Sequence, residues 1–204
     1  VITALVLAAG ASTRMGRHKL LLPVGDSTLL GAAVHPLLAS TLDEVVVVLG
    51  CEAAAVREAA GLPETPRLRF ALNPDWADGM AASLRCGLQE CAGADAALVA
   101  LGDQPGIAAA PLEALLAAAR NGAPLALPVH DGRAGHPVVF ARELFGELLS
   151  LEGDVGGREV VRRHWSRAVC VPALPLPDVD SDADYRALLL GRARRDAGMA
   201  LPPR

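Results

Sequence analysis

Apolar positions along this chain fall into short continuous runs separated by stretches of helical spacing, and the two kinds alternate from end to end. Ile2 to Leu7, Glu44 to Leu49 and Ala96 to Leu101 are apolar runs of strand length, which predicts strands buried on both faces. Leu68 to Leu72, Leu125 to Pro128, Pro137 to Phe140 and Ala168 to Val171 predict further strands. Helices are predicted over Ser27 to Ser40, Glu52 to Ala60, Met80 to Cys91, Pro111 to Arg120, Glu143 to Leu151, Gly157 to His164 and Asp182 to Arg195. Pro36 is expected to kink the first of these or end it early. His130 to Gly135 reads as a polar loop, and the Pro-rich stretch Pro172 to Pro177 as a short extended crossing. Apolar strands alternating with helices predict an α/β fold with a mostly parallel sheet and helices on both faces. In such a sheet, ligands bind beyond the carboxyl ends of the strands, where Gly10 and Asp103 both fall.

Bulk composition narrows this picture only a little. With 204 residues and 52% hydrophobic content the chain is expected to form a single domain, residues 1–204. A net charge of −4 provides no global field favouring nucleic acid or an anionic membrane, so neither is an expected partner. No apolar run reaches the ~18–20 residues a bilayer span needs, and the apolar start lacks the basic leader of a signal peptide. Cys51, Cys86, Cys91 and Cys170 have apolar neighbourhoods and no C-x-x-C spacing, which fits free thiols and a cytoplasmic location.

The first predicted strand runs into Ala8-Ala9-Gly10-Ala11-Ser12, followed by Arg14, Arg17 and Lys19. Small residues let the backbone turn sharply, and exposed N–H groups beside three cations form a cradle for polyphosphate. The stretch also reads as an ordinary strand-to-helix turn with solvated basic residues. It is not a Walker A loop, because Gly10 and Gly16 are one residue too far apart and Arg17 follows the second. Nor is it a dinucleotide fingerprint, since Ser12 stands where the second glycine is required. Leu7-Ala8-Ala9-Gly10, Ser12, Arg14-Met15-Gly16 and Lys19 resemble the signature of the MobA-like NTP transferase superfamily. The resemblance extends over nearly the whole chain and points to the molybdenum cofactor cytidylyltransferase branch. It implies a Rossmann-like nucleotidyltransferase domain.

Residue by residue, the resemblance assigns Ala8, Ala9, Gly10, Ala11, Ser12, Arg14 and Lys19 to the nucleotide, with Arg14, Lys19 and Asp103 as catalytic groups. Asp103, in Gly102-Asp103-Gln104-Pro105, suits Mg²⁺, which prefers hard oxygen donors; on the residues alone it also reads as an Asx turn. Asp178-Val179-Asp180-Ser181-Asp182 is similar to a family segment whose middle Asp completes the metal site, implying Asp180. The same residues also favour a helix N-terminus. Mg²⁺ is the implied cofactor, with Mn²⁺ as its substitute.

Asn73 to Leu84 is similar to the family segment that meets base and ribose, implying Gly79 and Ser83. Ser83 falls one turn into its helix, so its hydroxyl and the first-turn N–H groups are expected to point into the cleft; alternatively Asp78 caps that helix and Ser83 faces solvent. Gly135-His136-Pro137 and Gly153-Asp154-Val155-Gly156-Gly157-Arg158 match segments that line an acceptor pocket, implying His136, Asp154, Gly156, Gly157 and Arg158. His18, His35, His130 and His164 have no metal-ligand spacing and read as incidental.

The implied reaction moves CMP from CTP to the terminal phosphate of molybdopterin. The substrates are CTP and a molybdopterin-type cofactor, and a molybdoenzyme or its accessory protein is the receiving partner. A guanylyl or other nucleotidyltransferase acting on a sugar phosphate is one alternative, and a non-catalytic cofactor carrier is another.

Overall fold

The amino-terminal apolar run forms β1 (Ile2–Ala8), which lies inside the sheet with a parallel neighbour on each side. A computed structural model describes residues 1–12, 15 and 18–196. After β1 the chain passes through a 3-10 turn (Lys19–Leu21), β2 (Pro23–Val24), β3 (Ser27–Thr28), α1 (Leu29–Leu38), β4 (Glu44–Leu49), α2 (Ala53–Ala59) and β5 (Leu68–Leu72). It continues through α3 (Met80–Glu90), β6 (Ala96–Leu101), α4 (Ala109–Arg120), β7 (Leu125–His130), β8 (Arg133–Ala134) and β9 (Val138–Ala141). The last elements are α5 (Phe145–Leu149), α6 (Arg158–Arg163), β10 (Ala168–Pro172) and α7 (Asp182–Asp196).

The large sheet has the order β10-β7-β9-β6-β1-β4-β5, with β8 beside β7. β9 runs antiparallel to both β6 and β7, and every other pair along that path is parallel. The expected mostly parallel α/β sheet is therefore present. Its two faces are separated by strand alternation. Ala4, Val6, Val45, Val47 and Leu98 pack with Leu30 and Val34 of α1, Val56 of α2 and Leu112 of α4. Leu5, Val46, Val48, Ala97 and Val99 pack on the other side, with Leu84 of α3, Leu148 of α5 and Val160 of α6.

The differences from the sequence expectation are local. The helix predicted from Ser27 starts at Leu29, because Ser27 and Thr28 pair with Val24 and Pro23 in a hairpin. Thr28 then caps α1, its Oγ1 accepting from Gly31 N at 3.1 Å. Pro36 sits in the last turn, and α1 ends two residues later. α4 begins before Pro111, which occupies a first turn where its missing N–H has no helical partner to lose. The polar loop after β7 is a tight hairpin: Val129 pairs with Ala134 and His130 with Arg133, around Asp131 and Gly132 at positive φ.

A third, smaller core holds the carboxyl-terminal part in place. Val24, Leu29, Val179 and Leu188 are buried together, and the Tyr185 hydroxyl donates to Pro23 O at 2.6 Å. No helix among the described residues is long and apolar enough to cross a membrane.

Candidate active site

β1 and β6 end side by side, with Leu7 opposite Leu101, and Gly102 N donates to Leu7 O at 3.0 Å. The loops after these strands therefore begin next to each other at the carboxyl edge of the sheet. After β1 the chain turns at Ser12, which adopts the left-handed conformation (φ 52°). Its Oγ is buried and has no hydrogen-bond partner among the described residues. Gly10 at the tip is exposed.

Lys19 lies beyond this turn and meets two acids distant in sequence. Its Nζ is 2.6 Å from Asp103 Oδ2 and 2.8 Å from Asp180 Oδ1. The side chains of Lys19 and Asp103 are only 15% and 21% exposed, so water screens this pair weakly; Asp180 is 48% exposed. Burial acts to lower the Lys19 pKa, but the hydrogen bonds and charges of the two acids outweigh it and hold Lys19 above its ordinary value.

Asp180 is held by the segment around it. Val179 is fully buried in the third core. Ser181 Oγ accepts from Asp184 N at 3.2 Å, so Ser181, not Asp180, caps α7. Asp184 in turn accepts from Asp180 N and from the Ser181 hydroxyl.

Asp178, on the other side of Val179, joins the group. One ligand oxygen from each of Asp103, Asp178 and Asp180 lies within 4.8 Å of the others. Burial, then the charges of Asp103 and Asp180, push the Asp178 carboxyl above its ordinary value; Lys19 and a hydrogen bond with Gln104 partly offset this. Three hard oxygen donors gathered this closely fit a divalent ion such as Mg²⁺ or Mn²⁺. Sequence reasoning missed Asp178, although its two-residue spacing from Asp180 across an apolar Val was the available signal: in an extended segment, alternate residues share a side.

A cleft of about 330 Å³ opens over these groups. Of the residues singled out in the sequence, Ala8, Ala9, Gly10, Ser12 and Lys19 line one part of it. Gly79, Ser83, Asp103, Asp154 and Asp180 line the rest. Trp76 also lines it and was not among them. A Cβ on Gly50 would come within 2.4 Å of Trp76 Cβ and 2.8 Å of Ala9 Cβ, so this glycine lets the Trp76 wall close on the first loop.

Two expectations about α3 change. Ser83 is buried, its Oγ accepting from Asn73 Nδ2 at 3.1 Å, and so does not face bulk solvent. Two first-turn N–H groups of α3 are taken up by the chain: Ala81 N donates to Gly153 O at 3.1 Å and Met80 N to Asp154 Oδ1 at 3.4 Å. The close approach at Gly79 (φ 99°) is to the chain itself, since a Cβ there would lie 2.6 Å from Gly153 C and O. The Gly153–Asp154 loop thus caps α3 and brings Asp154 to the cleft rim.

Ala11, His136, Gly156, Gly157 and Arg158 are not among the cleft-lining residues. Gly156 packs against Met80 Sδ and Gly157 against Phe140 Cζ, where a Cβ would come within 2.7 and 2.8 Å. Arg158 opens α6 and is exposed. Burial is the main cause holding His136 below the ordinary imidazole pKa, with the Arg158 charge acting in the same direction; a backbone hydrogen bond at Val99 and the Asp103 charge oppose it. Arg14, and with it Gly16 and Arg17, lies outside the described residues.

Residues 4–169 match the model of the MobA-like NTP transferase domain. The chain is 36% identical over 170 residues to nicotine blue oxidoreductase of Paenarthrobacter nicotinovorans, covering 79% of this chain and 82% of the relative. It is 30% identical over 189 residues to the purine catabolism protein PucB of Bacillus subtilis, covering 88% and 91%. The molybdenum cofactor cytidylyltransferase of Escherichia coli is 25% identical over 186 residues, covering 90% and 93%. Among solved structures, a homolog from Mycobacterium sp. strain JC1 of Mycobacterium tuberculosis Rv0371c superposes with a TM-score of 0.84 at 34% identity, covering 95% of this chain and 98% of that one. The complex of M. tuberculosis Rv0371c with manganese gives a TM-score of 0.75 at 33% identity, covering 93% and 98%. With the family match spanning most of its length, and the acids and lysine grouped at the strand ends, the chain belongs to the MobA-like NTP transferase family and is a nucleotidyltransferase.

Proposed function

We propose that the chain transfers CMP from CTP to the terminal phosphate of a molybdopterin-type cofactor, yielding the cytosine dinucleotide and pyrophosphate. The meeting of Lys19 with Asp103 and Asp180 beside the first loop is the observation that supports the transfer chemistry. In this reading the backbone from Gly10 to Ser12, with Arg14, takes the β- and γ-phosphates. Lys19 takes the α-phosphate, where negative charge builds as the new bond forms. Asp103, Asp178 and Asp180 would hold Mg²⁺, with Mn²⁺ as its substitute, and a bound ion would supply charge neutralisation for the triphosphate. The acceptor phosphate has a second pKa of about 6 and is already ionised near neutrality, so no protein base is required.

His136, Asp154, Gly156, Gly157 and Arg158 belong to the acceptor side. Arg158 is suited to a phosphate or pterin oxygen through its planar fork. The substrate class draws on the similarity to the E. coli molybdenum cofactor cytidylyltransferase. CTP is favoured over GTP because the Ala9 methyl lies in the cleft wall and leaves less room for a purine base. The four cysteines are free thiols, which supports action in the cytoplasm, and a molybdoenzyme or its accessory protein receives the product.

Pyrophosphate release with molybdopterin and either CTP or GTP tests the proposal. Preferential release with CTP is expected. Equal use of both defeats the nucleotide assignment, and no release with either defeats the reaction.

A further inference from the structure

Lys19 stands between two of the carboxylates that the proposed reaction gives to the divalent ion. Its ammonium contacts Asp103 Oδ2 at 2.6 Å and Asp180 Oδ1 at 2.8 Å, within an acidic group whose third member is Asp178. The ammonium takes one oxygen of each of these two acids, so a second cation must compete with it there. A divalent ion drawn to the same acids also meets the positive charge of Lys19 in a weakly screened setting. The lysine has somewhere else to go, because the loop carrying Gly10 and Ser12, which the proposed reaction gives to the phosphates, lines the same cleft. A flexible four-carbon stem lets the ammonium move between neighbouring anions without rearranging the backbone.

We propose that Lys19 and the divalent ion exchange places at Asp103 and Asp180, so that the ion alone binds weakly and enters together with the triphosphate. Phosphate oxygens receive the ammonium as the carboxylates receive the metal. No proton moves and no bond is made or broken; two ion pairs are traded for two others. This inference rests on the metal and triphosphate assignments of the proposed function.

The test uses Mn²⁺ as the probe, with binding to the full chain measured by equilibrium dialysis in the absence and presence of CTP. Without nucleotide, Lys19→Met should bind Mn²⁺ at least about tenfold more tightly than wild type, the scale of one neighbouring like charge. Lys19→Arg keeps the charge and should remain weak. CTP should tighten Mn²⁺ binding in wild type far more than in Lys19→Met. Equal affinities of wild type and Lys19→Met without nucleotide, alongside tight binding to wild type with CTP, overturn the exchange and leave the metal assignment standing. Absence of Mn²⁺ binding even with CTP, or undiminished binding in Asp103→Asn, overturns the metal assignment itself.

Should Lys19→Met prove unfolded by circular dichroism, Lys19→Gln gives the same comparison. A measurement on wild type adds an independent reading: acylation of Lys19, followed by mass spectrometry, should quicken as Mn²⁺ alone is raised to saturation. An unchanged acylation rate at saturation overturns the exchange.

Discussion

Lys19 and Asp180 are 161 positions apart in sequence and 2.8 Å apart in space. The β2–β3 hairpin fastens both ends of that contact. Lys19 leads into it, while Val179 packs on Val24 and Tyr185 bonds to Pro23. A cation from the beginning of the chain and two acids from near its end are thus set by one small apolar cluster, and the chemistry at the strand ends depends on that packing.

Removing either partner of the Lys19–Asp103 pair should abolish most turnover while leaving the fold intact. Lys19→Ala and Asp103→Ala are each expected to lower the rate of pyrophosphate release by about 10²–10³, the usual effect of deleting one group that stabilises transition-state charge. Near-normal rates in either variant would remove that residue from the mechanism. Circular dichroism on the same samples separates lost chemistry from lost folding.

Val179→Ala tests the anchor. The side chain is fully buried, so its truncation should cost about 1–3 kcal/mol in thermal or denaturant unfolding. Because Asp178 and Asp180 flank it, Mn²⁺ binding in the presence of CTP should weaken as well. Loss of stability with unchanged metal binding would show that the flanking acids do not depend on this anchor.

His136 predicts a pH dependence of stability. Burial is the main reason its pKa lies below the ordinary 6.5, so the unfolded chain takes up this proton before the folded one does. Its contribution is fully present above 6.5 and is lost as pH falls through the depressed value. His136→Gln should therefore lose less stability than wild type between about neutrality and pH 5 in a series of denaturant melts. Parallel curves for the two proteins would show that His136 is not responsible for the acid sensitivity.

Ala9 predicts a change in nucleotide preference. Ala9→Gly removes the methyl that lines the cleft beside Gly50, and it should raise the use of GTP relative to CTP by about tenfold, the scale of one methyl group in a fitted pocket. The ratio of kcat/KM for the two nucleotides measures this. An unchanged ratio would mean that the base is selected elsewhere in the cleft, which Trp76 also lines.

The order of strands and helices, the burial of the central strands and the placing of two loops at the strand ends were legible from the chain alone. Runs such as Glu44 to Leu49 can satisfy their apolar side chains on both faces only inside a covered sheet. Other features had local signals that were weak or easily passed over. Asp131-Gly132 is a common hairpin turn, and β2 and β3 are too short to show a period.

What no local pattern contains is direction and distance. The antiparallel entry of β9 between β6 and β7, the capping of α3 by Gly153 and Asp154, and the joining of Asp178 to Asp103 were decided by tertiary packing. Side-chain periodicity and turn chemistry act over a few residues, whereas these contacts follow from which distant surfaces must be buried against one another. The residue types suited to phosphate and metal can be read along the chain; which carboxylate holds which cation is settled only when the two ends of the chain meet.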